Sequence, residues 1–84
     1  MDKKALVFAE DAILAVGEGD AAMARTCIAQ ACEVDNSLSA IADAIYLACS
    51  ELENGGSVST STWNTIGDAV GPGPLSGVVE SNRH

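Results

Sequence analysis

Between residues 5 and 82 this chain has a single basic residue, Arg25; the other bases are Lys3, Lys4 and Arg83. Apart from Asp2, all of its twelve acids lie in that stretch, and the formal net charge is -8. Affinity for a phosphate backbone comes from Lys and Arg displacing counterions, so no direct contact with nucleic acid is expected. Anionic membranes are disfavoured for the same reason. Aromatics are equally scarce, with one Phe, one Tyr and one Trp. Ala, Leu, Ile and Val must therefore build most of the core. Burial is worth roughly 25 cal/mol per Å² of apolar surface, and alanine has little surface to bury. Close helix packing, an oligomer interface or a partner would compensate. The only histidine is His84 and there is no C-x-x-C, which leaves too few ligands for a zinc site. Strand signals are missing apart from Ser57-Val58-Ser59-Thr60, which is short and has no partner. The first apolar stretch is broken by Glu10 and Asp11, too short and too charged for a membrane span or a secretory leader.

What remains is helical. At 84 residues, 48% of them hydrophobic, the chain has room for one modest core. Leu6, Ala9, Ile13 and Val16 follow helical spacing and predict a first helix over about 3–16, with Phe8, Ala12 and Ala15 on an adjoining stripe. Gly17-Glu18-Gly19 ends it, and Asp20 can cap a second helix reaching about Glu33. Its apolar line is Ala24, Cys27, Ile28 and Ala31, with Met23 and Val34 at its flanks. Asn36 or Ser37 can cap a third helix over about 38–53, lined by Leu38, Ile41, Ala42, Ile45, Cys49 and Leu52. Tyr46 and Leu47 widen that arc. Asn54-Gly55-Gly56 stops it, and Thr60 or Ser61 can cap a short fourth helix holding Trp63, Ile66 and Val70. Gly71-Pro72-Gly73-Pro74 then breaks the chain. The expectation is an all-α bundle of four helices over residues 1–70, the first three antiparallel neighbours through short connections. Residues 71–84 are expected to be a flexible tail or one short helix, which would make five.

Small residues at fixed offsets, Gly19-x4-Ala24-x3-Ile28-x2-Ala31-x3-Asp35, resemble the second helix of a tetratricopeptide repeat. The likeness extends back to Phe8 at the first aromatic position, Ala12 at a small position and Ala15 where an aromatic is usual. Ile28 replaces the second-helix aromatic, Asn36 stands for the terminal proline, and Asp11 departs from the usual leucine. Residues 5–37 thus resemble one repeat, and a second starting near Ser39 is interrupted by Gly55-Gly56. The resemblance implies a helical hairpin that binds other proteins.

Asp35-Asn36-Ser37-Leu38 resembles the Asp-Ser-Leu motif of acyl carrier proteins, which implies phosphopantetheine on Ser37. An extra Asn separates Asp35 from Ser37, and residues 20–33 read as a helix where carrier proteins have a long loop. Ser37 as a helix cap is the simpler reading, and no cofactor is expected. Cys27, Cys32 and Cys49 lack an internal histidine as a base. On one helix Cys27 and Cys32 lie about 140° apart and cannot bridge. Reduced thiols acting as small hydrophobes, in the cytoplasm, are the default. Glu10 with Asp11, Glu51 with Glu53, and Glu18 with Asp20 do not share a helix face or a ligand series, so they read as solvated acids.

The sequence accordingly predicts a small acidic protein-interaction module without catalysis. Phe8, Tyr46 and Trp63 are the rings available as anchors, with core filling the competing role. Glu51 and Glu53 are candidate polar contacts, and a homodimer through Ala-rich faces would also suit the small core. The alternative is an acidic inhibitor or nucleic-acid mimic, docking on a basic partner through Glu10, Asp11, Glu18, Asp20, Asp43, Glu51 and Glu53.

Overall fold

The computed structural model describes residues 2–83; Met1 and His84, the histidine weighed above as a zinc ligand, lie outside the described residues. The chain forms α1 (Lys3–Glu18), α2 (Ala21–Val34), a 3-10 turn (Asn36–Leu38), α3 (Ser39–Gly55), α4 (Thr60–Val70) and α5 (Ser76–Asn82). No strand occurs among the described residues. The chain is a small all-α bundle.

Local chemistry sets most of the boundaries. Asp2 accepts a hydrogen bond from the Lys4 amide and caps α1. The helix runs past Val16 because the left-handed conformation that ends it falls on Gly19, at φ 80°, rather than on Gly17. Only glycine adopts that geometry without a steric cost. Asp20 then caps α2 through the Met23 amide, at 3.0 Å. The next start differs from expectation. Neither Asn36 nor Ser37 caps α3, whose N-cap is Leu38 with no side-chain bond. Asp35 caps the 3-10 turn before it, its Oδ1 accepting from the Ser37 amide at 3.0 Å and from the Ser37 hydroxyl at 2.6 Å. A carboxylate accepting two bonds from one residue tightens the turn into 3-10 geometry before α3 begins.

The start of α4 also moves, from Thr60 or Ser61 to Ser59, for a reason that is tertiary. Glu51 on α3 accepts hydrogen bonds from the Ser59 amide (2.8 Å) and the Thr62 hydroxyl (2.5 Å). Ser59 Oγ in turn accepts from the Thr62 amide. One carboxylate from the preceding helix thus fixes where the following one starts.

Each helix packs on the next in the chain, and α5 also returns to α1. One contiguous core results. From α1 and α2 it takes Ala5, Ala9, Ala12, Ile13, Val16, Ala24, Ile28 and Ala31; from α3, Ile41, Ile45, Ala48 and Cys49. Trp63 and Ile66 enter from α4, and Leu75 and Val79 from the segment after the Gly-Pro break. Residues 71–83 therefore hold a fifth helix that shares this core. Its approach is close at Gly17, where an added Cβ would stand 2.9 Å from the Asn82 Cβ. That glycine is a packing requirement. Every buried side-chain nitrogen and oxygen among the described residues has a hydrogen-bond partner. No described helix is long and apolar enough to cross a membrane.

Candidate interaction surface

On α1, Val7, Asp11, Leu14 and Glu18 recur at i, i+4, i+7 and i+11, which places them on one helical face. All four are exposed, opposite the buried stripe of Ala5, Ala9, Ala12 and Val16. On α2, Met23, Cys27, Gln30 and Val34 follow the same spacing along one edge. The two rows meet in a shallow groove lined by Asp11, Leu14, Ala15, Glu18, Met23 and Cys27. Leu14 is 37% exposed and Met23 52% exposed, while Cys27 beneath them is buried. The groove thus has apolar walls, an acidic rim and no base among its lining residues.

The rings and acids singled out from the sequence fall elsewhere. Trp63 is 3% exposed and fills the core, so its ring is no surface anchor in this conformation. Phe8 is half-buried against the same core. Tyr46 is half-buried, and the Arg25 guanidinium stands over its ring at 5.9 Å. Arg25 also forks onto Glu53, with Nε donating to Oε2 at 3.1 Å and Nη2 to Oε1 at 2.7 Å. Tyr46 and Glu53 are therefore brought together by Arg25, the stacked and bidentate use to which a guanidinium is suited. The Arg25 hydrogen bond holds the Glu53 carboxyl below the ordinary glutamate range, and Glu53 raises Arg25 in return. Glu51 is occupied in fixing α4. Its carboxyl is lowered first by the Ser59 amide and then by the Thr62 hydroxyl.

Of the acids proposed for a charge-based surface, Glu10, Asp11, Glu18, Asp20 and Asp43 are exposed. Asp11 and Glu18 border the Leu14–Met23 groove. Burial raises the thiols of Cys27, Cys32 and Cys49, with Asp11 and Asp20 adding to it at Cys27. Such thiols stay protonated near neutrality and are poor nucleophiles. Ser37 is exposed, its hydroxyl engaged by Asp35. No group of three or more His, Cys, Asp or Glu among the described residues is placed to hold a metal ion.

Leu14 and Met23 were not anchors in the sequence reading, because Leu14 falls between two stripe residues and Met23 flanks its own stripe. The available signal was the second period on α1: Val7 and Leu14 repeat with Asp11 and Glu18 on the face opposite the alanines. No family model, curated protein or solved structure matches the chain at a significant level.

Proposed function

We propose that this chain is a small acidic interaction module, without catalysis, that holds a protein partner on the outer face of α1 and α2. The observation that carries the reading is the pairing of Leu14 with Met23 above Cys27, between Asp11 and Glu18. Apolar side chains exposed singly need no explanation; two flanking one groove inside a charged rim form an anchor site. The complementary partner presents an apolar side chain flanked by Lys or Arg, since opposite charge steers and orients docking. Support for a tetratricopeptide-like hairpin comes from the burial of Ala12, Ala24, Ile28 and Ala31 and from the left-handed Gly19 at the turn. Three free thiols, two buried, suit a reducing compartment such as the cytoplasm.

One observation favours the alternative, an acidic inhibitor or nucleic-acid mimic. Arg25 is committed to Glu53, and among the described residues the exposed Glu10, Asp11, Glu18 and Asp20 form no salt bridge. Affinity capture from the native cell, with matched baits, separates the readings. The double variant Leu14→Ser, Met23→Ser should lose the partner, whereas Leu47→Ser, at an exposed hydrophobic on α3, should retain it. Retention by the first bait, together with release in about 0.5 M salt, where exposed charges are screened, would favour the mimic instead.

A further inference from the structure

The end of the bundle where α1 and α3 finish contains a second concavity, distinct from the Leu14–Met23 groove. Its volume is about 330 Å³, at the small end of the range for ligand pockets. Val16, Leu52 and Trp63 supply apolar walls. Gly19 and Gly56, the caps that end α1 and α3, both line its mouth. Two helix C-termini therefore converge on one cavity. The Gly19 and Gly56 amides satisfy the Ala15, Val16 and Leu52 carbonyls. The carbonyls of Gly17 and Glu18, which line the cavity, accept no backbone hydrogen bond among the described residues. They carry the partial negative charge of the α1 end, which favours a cation. Neither helix has a basic residue in its last turn. Glu18 adds a full negative charge at the rim; Arg25 is bound to Glu53, and Arg83 is engaged by Asn64 and Glu80.

We propose that this cavity binds a primary ammonium on an aliphatic stem. The stem lies against Val16, Leu52 and Trp63, and the ammonium meets Glu18 and the carbonyl end of α1. A lysine side chain of a peptide and a free alkylamine share this chemistry. The site adjoins the proposed anchor groove, with which it shares Glu18, but Leu14 and Met23 do not line it. The variant Leu14→Ser, Met23→Ser leaves it intact, so either idea can fail alone.

The test is amide NMR on the whole chain, titrated separately with N-acetyl-lysine methylamide, n-butylammonium and the neutral N-acetyl-norleucine methylamide. Saturable shifts are expected at Gly19, Gly56 and the Trp63 indole, with the neutral analogue at least about fivefold weaker. Binding by n-butylammonium as tight as by the lysine amide identifies a free-amine site. Binding by the lysine amide alone identifies a peptide site, and either outcome upholds the cation. Glu18→Gln should weaken binding roughly threefold. Ser57→Lys, at an exposed position of the mouth, should occupy the site and abolish the shifts. Equal binding of the norleucine amide, no saturable shift, or unchanged affinity in Glu18→Gln would overturn the proposal.

Discussion

The α1–α2 pair and the α4–α5 pair bury their surfaces by opposite means. Between α1 and α2 the buried residues are mostly alanine, with Ile13, Val16 and Ile28 as the larger fillers. In and just before the last two helices a few bulky residues do the work: Trp63 and Ile66 on α4, Leu75 at the cap of α5 and Val79 within it. An alanine interface brings backbones close and leaves no room inside for long side chains. Val7 and Leu14 lie on the opposite face of α1 and Met23 at the edge of α2, outside this interface and on the face proposed to receive a partner. The C-terminal pair shows no such surplus, since the large exposed hydrophobics all lie in α1, α2 and α3.

The largest expected effect tests that contrast directly. Trp63→Ala removes the biggest core side chain and should cost about 3–5 kcal/mol, read as a lower urea midpoint. Ala12→Leu, between α1 and the rest of the core, should cost about 1–3 kcal/mol by overpacking. Ala29→Leu, at an exposed position of α2, should be close to neutral. If Ala12→Leu were as harmless as Ala29→Leu, the close-packed description of the first pair would be wrong.

A smaller effect is expected at Gly17. Replacing glycine by alanine inside a helix ordinarily gains about 1 kcal/mol. Here the new Cβ meets the Asn82 side chain, so Gly17→Ala should instead destabilise and speed amide exchange in α5 more than in α2. A stabilised variant with unchanged exchange would detach α5 from the shared core.

The smallest effect concerns acid. Glu51, Glu53 and Asp35 are all held below their ordinary values by hydrogen bonds. Carboxylates lowered in the folded state contribute stability that is complete above their unfolded values, about 3.9 for Asp and 4.3 for Glu. It is lost as pH falls through the folded values. Thermal midpoints measured from pH 6 to pH 3 should therefore fall at the acid end. Glu51→Gln should flatten part of that fall, because glutamine cannot lose a charge. An identical acid profile in this variant would remove Glu51 as the link between α3 and α4.

Much of the fold was legible because periodicity and capping are local. The small-residue stripes, the glycine stop at 17–19 and the Asp20 cap were all readable in the α1–α2 segment, though not that the left-handed turn falls on Gly19. The Ser59 start of α4 was not, since the carboxylate that fixes it comes from Glu51, eight residues earlier and on another helix. Nor was the role of Arg25, whose partners Tyr46 and Glu53 are distant in sequence. Nor was the pairing of Leu14 with Met23, which only the packing of α1 on α2 makes neighbours.

By itself the sequence determined the helical class, the acidic surface and the dependence on small residues, because each follows from residue type and spacing along one segment. Tertiary structure decided that residues 71–83 join the core, that Trp63 is spent inside it, and which acids remain free. Those outcomes depend on which helix faces meet. That is set by side chains far apart in the chain, and no local pattern encodes it.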